Sequence, residues 1–134
     1  MKHEMLTEKL IGAFYTLYNE LGHGFLESIY QRGYAYMLKD EGLPFVEQAP
    51  VRVTHRGRDL GEFKMDLVVE GLVLVELKAV KALEASHEKQ VFNYLKATNL
   101  EVGLLFNFGP RPQVRRIILE NEYKLQRKAA TSAP

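Results

Sequence analysis

The 134-residue sequence contains no cysteine, carries a formal net charge of only +1 and has no long apolar run. The absence of cysteine excludes disulfide bonds and thiolate chemistry. The near-neutral charge excludes a global basic field, so a nucleic-acid partner would have to be attracted by local basic clusters. Because the sequence shows neither a membrane-spanning run nor a signal-type N-terminus, we expect a cytoplasmic protein with no membrane partner.

The composition, 46% apolar, suits one compact unit with a substantial core. No internal repeat or low-complexity segment divides the chain. We therefore predict a single domain over residues 1–126 and a frayed tail from Arg127 to Pro134.

Apolar spacing and turn residues predict three helices and five strands. The helices are Met5–Leu21, about Leu26–Glu41 and about Leu83–Asn99. The strands are Phe45–His55, two strands within Glu62–Ala79, then Glu101–Phe108 and Val114–Leu119. The apolar run in 101–108 is typical of a strand buried on both faces. This order predicts an α+β fold with a mixed sheet, in which a three-strand meander is followed by a crossover helix and a parallel strand, with helices flanking the sheet.

Three charged residues, Asp66, Glu76 and Lys78, interrupt the two apolar strands within Glu62–Ala79. Burying a charge costs several kcal/mol unless it is paired or bound to a metal, so the arrangement calls for a reason. Strand alternation places Asp66 on one face of the first strand, with four apolar residues sharing the other. Those four are Phe63, Met65, Leu67 and Val69.

The turn between these strands decides whether the two carboxylates meet. A two-residue turn would send Glu76 to the face opposite Asp66. A three-residue turn over residues 70–72 pairs Val69 with Val73 and sets Asp66 opposite Glu76 on the same face. Since Gly71 can adopt the left-handed conformation that such turns use, we predict the longer turn.

The second and third helices also carry candidate residues. Glu27 stands in the first turn of the second helix, where the helix dipole alone would favour a carboxylate. On the third helix, His87, Gln90 and Tyr94 share one face. The second helix is expected to pack through five residues on one stripe. They are Leu26, Ile29, Tyr30, Gly33 and Met37.

Two pairs of arginines are candidates for contacting phosphate. Arg56 and Arg58 lie at the turn before the hairpin, and Arg115 and Arg116 form a modest basic cluster in the last strand. A charged hairpin tip is usually only solvated, and that reading is favoured for Arg56 and Arg58.

Asp66, the Glu76-Leu77-Lys78 segment and Gln90 on the following helix together resemble the PD-(D/E)XK nuclease superfamily, although Met65 stands where the superfamily name has proline. The segment Gly24-Phe25-Leu26-Glu27-Ser28-Ile29-Tyr30 is similar to the signature of the GxxExxY proteins, a small family assigned to that superfamily. Further similar segments are 90–95 and 104–109, and the resemblance extends from Gly22 to Leu119.

The resemblance implies a restriction-endonuclease-like fold and a Mg²⁺-dependent nuclease, with Mn²⁺ as an alternative ion. Asp66, Glu76, the Leu77 carbonyl and Glu27 would hold metal, because Mg²⁺ prefers hard oxygen ligands. Lys78 would position the attacking water and stabilise charge on the phosphate, and Gln90 would orient the water or Lys78. Tyr94 and His87 are weaker candidates, for which structural packing is an equal explanation.

Three functions remain open from the sequence. The first is a nuclease, with DNA favoured over RNA as the partner and a homodimer as an option for cutting both strands. The second is a catalytically silent module that binds nucleic acid or a protein. The third, ranked last, is an ion-pair network at a subunit interface. A binding module has no use for two adjacent carboxylates that repel phosphate, which favours the nuclease.

Overall fold

The computed structural model describes residues 2–125 of the chain. Its helices are α1 (Glu4–Leu21), α2 (Glu27–Asp40) and α3 (Ala85–Lys96), followed by a short 3₁₀ helix (Asn121–Tyr123). Its strands are β1 (Phe45–His55), β2 (Arg58–Val69), β3 (Val73–Lys78), β4 (Val102–Phe108) and β5 (Pro112–Ile118). The predicted tail, Arg127 to Pro134, lies outside the described residues.

The strands form one five-stranded sheet in the order β1-β2-β3-β4-β5. The β1-β2, β2-β3 and β4-β5 pairs are antiparallel, whereas β3 and β4, which α3 connects, are parallel. The meander, the crossover helix and the parallel strand confirm the predicted α+β fold with a mixed sheet.

Helices cover both faces of the sheet. On one face, Phe14 of α1 stacks on Phe106 and Tyr30 of α2 stacks on Phe108, with ring centroids 4.6 and 4.2 Å apart. On the other face, α3 packs closely on β4, and a Cβ added to Gly103 would lie 2.5 Å from Val91 Cγ1. All of β4 is buried, as the apolar run predicted.

The turn between β2 and β3 has the predicted length. Val69 pairs with Val73, and the Leu72 N–H donates to the Val69 carbonyl at 2.9 Å. Gly71 is left-handed with φ 65°, and Glu70 also adopts a positive φ of 54°. This register puts Asp66 and Glu76 opposite each other at the end of the strand pair.

Several predicted boundaries and faces were wrong. β2 begins at Arg58 rather than near Glu62, because the Arg56-Gly57 turn is tight enough for pairing to start at once. β5 likewise begins at Pro112. In α2 the packing stripe is rotated, and Leu26 and Ile29 are 75% and 45% exposed. The residues that α2 buries are Tyr30, Tyr34, Ala35 and Leu38.

Candidate active site

The carboxylates of Asp66 and Glu76 bridge β2 and β3 where the two strands separate. The backbone ladder ends at the Leu67–Val75 pair. Beyond it, the Asp66 N–H donates to Glu76 Oε2 at 2.6 Å, and the Leu77 N–H donates to Asp66 Oδ2 at 2.9 Å. Each carboxylate thus replaces a backbone acceptor of the opposite strand, and the second oxygen of each takes no part in these two bonds.

The strand changes face at Asp66, which corrects the predicted alternation in β2. Met65 packs on the α3 side of the sheet, while Leu67 and Val69 pack on the α1 and α2 side. Phe63 is also on the α3 side, where its ring lies 6.0 Å from that of Tyr94. The four apolar residues therefore do not share one face, because the strict alternation of β2 is interrupted between Met65 and Leu67.

Gln48 is a site residue that sequence reasoning missed. It lies on the edge strand β1 between Glu47, which pairs with Leu67, and Ala49, which pairs with Met65. Its φ of 50° is unusual for a non-glycine residue and indicates local strain. Its side chain makes a hydrogen bond that lowers the pKa of Asp66. Pro50 nearby gave a signal for an irregular edge strand, but no local pattern indicated the contact.

Burial governs the charge state of the carboxylate pair. Glu76 is only 3% exposed, and burial, reinforced by the neighbouring Asp66 charge, raises its pKa to about 8. Burial also raises the pKa of Asp66, against the lowering effects of the Leu77 N–H, the Lys78 charge and Gln48. A pair of this kind favours either a shared proton or a nearby positive charge.

Glu27 approaches the pair from the start of α2. Burial raises the pKa of Glu27, the charges of Lys78 and His87 lower it, and that of Asp66 raises it. The structure therefore brings Glu27, Asp66, Glu76 and Lys78 into one electrostatic cluster.

Tyr30 fixes the loop that delivers Glu27. Its buried hydroxyl donates to the Gly22 carbonyl at 2.6 Å and accepts from the Phe25 N–H at 3.2 Å. Within this loop, Gly24 has a φ of 112°, which a residue with a Cβ rarely adopts. Gly24, Glu27 and Tyr30 thus have distinct physical roles: the first shapes the loop, the second supplies the carboxylate and the third ties the loop down.

The α3 residues differ in their relation to the cluster. His87 Nδ1 accepts the Glu84 N–H at 2.9 Å, so the imidazole caps the start of α3. Tyr94 is buried, and burial together with the charges of Glu76 and Asp66 raises its pKa to about 12. Gln90 is half-buried in a groove of about 930 Å³ that α3 forms with β1, β2 and the residues after β5, and Phe63 and Tyr94 also line it. No hydrogen bond joins Gln90 to the carboxylates within residues 2–125.

The arginines lie away from the cluster or on separate surfaces. Arg58 is eight residues before Asp66 in β2, or about 26 Å of strand length. Arg115 pairs with Leu105, which in turn pairs with Glu76, whereas Arg116 pairs with Leu104. Because Leu105 and Leu104 face opposite sides of the sheet, Arg115 and Arg116 do not form the predicted basic cluster.

In the part of the chain that the structure describes, no three His, Cys, Asp or Glu side chains converge with metal-binding geometry. No helix in residues 2–125 combines the length and hydrophobicity needed to cross a membrane.

Comparisons with known proteins agree with the fold. The family model of the PD-(D/E)XK nuclease superfamily matches residues 4–117. The crystal structure of SSO0001 resembles this chain with a TM-score of 0.58 and 17% sequence identity, covering 69% of this chain and 50% of that one. The chain thus spans half the length of that protein, and the likeness concerns the fold. A search of curated proteins found no significant match. On the match over residues 4–117, the chain belongs to the PD-(D/E)XK nuclease superfamily.

Proposed function

We propose that this protein is a metal-dependent nuclease that hydrolyses phosphodiester bonds, with DNA favoured over RNA. Membership of the superfamily suggests nuclease activity and implies a nucleic-acid substrate. The observation that carries the proposal is the Asp66–Glu76 pair, with each carboxylate bonded to the other strand and Lys78 and Glu27 beside it. Two carboxylates alone would repel a phosphate, so the cluster suits a reaction in which a cation accompanies the substrate.

The donor set fits a hard divalent cation. Mg²⁺ in proteins is commonly bound by one or two carboxylates and keeps several waters, so a site with Asp66 and Glu76 needs no third carboxylate. Glu76 has a second oxygen beyond the one that accepts the Asp66 N–H, and Asp66, which also bonds to Gln48, would supply the other carboxylate ligand. Positive charge there would offset the raised pKa of Glu76. The Leu77 carbonyl is the further proposed ligand of this ion. Glu27 does not converge on one ion with Asp66 and Glu76 in the described residues, and is proposed to hold a second cation or a water. Bound Mg²⁺ or Mn²⁺ would polarise a phosphoryl oxygen and lower the pKa of an attacking water.

The chain's own residues have the following proposed roles. Lys78 carries a positive charge beside the carboxylates and would stabilise negative charge as it develops on the phosphate. Glu27, whose pKa is raised by burial, would hold a water or a second cation at the rim of the cluster. Tyr94 lies near enough to both carboxylates for their charges to raise its pKa, and it would support them from α3. Gln90 and His87 are assigned lesser, orienting roles.

We further assign the chain to the GxxExxY proteins within the superfamily. Three residues of the signature support this assignment. Gly24 gives the loop its conformation, the Tyr30 hydroxyl holds the loop through hydrogen bonds, and together they place the Glu27 carboxylate. The cytoplasmic location, the homodimer and the single-domain boundary at residue 126 stay predictions.

The experiment that tests the proposal is a cleavage assay on a panel of substrates. The protein should be incubated with single-stranded, duplex and branched DNA and with RNA, each with Mg²⁺, with Mn²⁺ and with chelator. Metal-dependent cutting of at least one substrate is the expected result. Binding without cutting under every condition would contradict the nuclease proposal and favour a catalytically silent binding module.

A further inference from the structure

A groove of about 500 Å³ runs between α2 and the edge strand β1, beside the candidate active site. Its lining includes Ser28, which follows Glu27, and Gln48, which contacts Asp66. One end of the groove therefore adjoins the carboxylate cluster. The other end reaches Lys39, twelve residues along α2 from Glu27, which corresponds to about 18 Å of helix.

The groove presents positive charge that the fold does not use. Arg32 and Lys39 line it, and neither takes part in a salt bridge with any residue in the described range 2–125. The lining contains one carboxylate, Glu47 on β1. Two cations against one anion give the groove a net positive charge on a chain that is nearly neutral overall.

An exposed aromatic ring lies between the two cations. Tyr36 is 59% exposed and is four residues after Arg32 and three before Lys39, so all three project from one side of α2. The buried side of the same helix is formed by Tyr30, Tyr34 and Leu38, so Tyr36 is not needed for the core. An aromatic face between two cations is the arrangement with which proteins bind single strands, because phosphates contact the cations and an unpaired base stacks on the ring.

We propose that this α2–β1 groove binds single-stranded nucleic acid, with the backbone along Arg32 and Lys39 and a base on Tyr36, and leads it to the carboxylate cluster. The direction of the strand toward Glu27 and Asp66 rests on the proposed nuclease function, whereas the binding itself does not. A duplex hides its base faces, so Tyr36 would contribute to binding only an unpaired segment. DNA and RNA share the required chemistry.

Fluorescence anisotropy with short labelled oligonucleotides in chelator tests binding without cleavage. The probes are a single-stranded DNA, the RNA of the same sequence and the corresponding duplex. We expect the single strands to bind more tightly than the duplex, and Arg32→Ala/Lys39→Ala to weaken their binding about tenfold. The slope of log affinity against log salt should also fall by about 1.4, since each phosphate contact on a single strand contributes about 0.7.

The matched control is Lys9→Ala/Lys96→Ala, which removes the same charge from exposed positions on α1 and α3, outside the groove. It should leave affinity and salt slope nearly unchanged. Equal losses in both double variants would mean that only net charge matters and would overturn the proposal. So would tighter binding of the duplex, or no measurable binding of any probe by the wild-type protein.

Two single-residue substitutions test the aromatic ring and the charge of the groove separately. Tyr36→Ala should weaken single-strand binding about tenfold, whereas Tyr36→Phe, which keeps the ring, should not. Glu47→Gln should tighten binding, because it removes the groove's one carboxylate. Unchanged affinity in both Tyr36→Ala and Glu47→Gln would overturn the proposal.

The outcome is separable from that of the proposed function. If the wild-type protein cuts nucleic acid and the groove variants bind and cut equally well, the nuclease proposal stands and the groove proposal is refuted. If the protein cuts nothing but binds single strands through Arg32, Tyr36 and Lys39, the groove proposal stands and the nuclease proposal is refuted.

Discussion

The Tyr30 hydroxyl donates a hydrogen bond of 2.6 Å to the Gly22 carbonyl, eight residues earlier in the chain. This bond closes the loop that places Glu27, so Tyr30→Phe should loosen the loop while keeping the ring stacked on Phe108. We expect a loss of about 1 kcal/mol in the free energy of unfolding, measured by denaturant titration. Cleavage should slow severalfold.

The matched control is Tyr34→Phe, which removes a buried hydrogen bond of 2.8 Å to the Leu10 carbonyl in the same helix pair. It should reduce stability to a similar degree without slowing cleavage. Equal cleavage rates in the two variants would show that the Tyr30 tether serves only stability.

The contact between α3 and β4 makes a prediction about packing. Gly103→Ala should destabilise the fold by about 1–3 kcal/mol, because its Cβ would lie 2.5 Å from Val91 Cγ1 in a filled core. Gly12→Ala is the comparison, since nothing lies within 4 Å of its added Cβ in α1. That change should stabilise the protein by about 0.5–1 kcal/mol through helix propensity. Thermal unfolding should show a lower melting temperature for Gly103→Ala and a higher one for Gly12→Ala than for the wild-type protein. A Gly103→Ala protein as stable as the wild type would contradict the close packing.

The raised pKa of Glu76 predicts how stability depends on pH without metal. The pKa is about 8 in the folded protein against an ordinary 4.5, so between these values the folded state binds more protons than the unfolded state. Stability in chelator should therefore fall as pH rises from about 5 to about 8. Glu76→Gln cannot ionise and should flatten this part of the profile. Parallel wild-type and variant profiles would show that Glu76 titrates normally.

A bound metal ion should relieve the electrostatic repulsion between Asp66 and Glu76. Millimolar Mg²⁺ or Mn²⁺ should raise the melting temperature of the wild-type protein, because an ion that binds only the folded state stabilises it. Asp66→Asn/Glu76→Gln should abolish the shift. Asp40→Asn/Glu41→Gln, which removes two charges at the far end of α2, should retain it. Identical melting curves in chelator and in Mg²⁺ for the wild-type protein would contradict a metal site at this pair.

Much of this architecture is local enough to be predicted from the sequence. Gly71 can adopt the left-handed conformation of a three-residue turn, and that turn determines which residues of β2 and β3 meet. The sequence of β4 likewise predicted burial on both faces, because a strand that packs on both sides has apolar residues at successive positions rather than at every second one.

The failures share a different cause, which is contact between distant parts of the chain. The break in alternation between Met65 and Leu67 lies where Gln48 of β1 bonds to Asp66, 18 residues later in the sequence. The alternation of apolar residues in β2 gives no indication of this contact with Gln48. The rotation of α2 has a similar origin, since the tether from Tyr30 to Gly22 and the stacking on Phe108 override the apolar stripe that includes Leu26.

Cleavage by site variants tests the central claim, that Asp66, Glu76 and Lys78 act together as a nuclease site. The best substrate of the wild-type protein should be incubated in Mg²⁺ with Asp66→Asn, Glu76→Gln and Lys78→Met, and with Lys64→Met as a control on the same sheet. Each site variant should lose about 100-fold or more in rate while remaining folded, because groups that act as one unit fail together, and Lys64→Met should cut normally. Site variants that remain folded and cut at the wild-type rate would contradict the account.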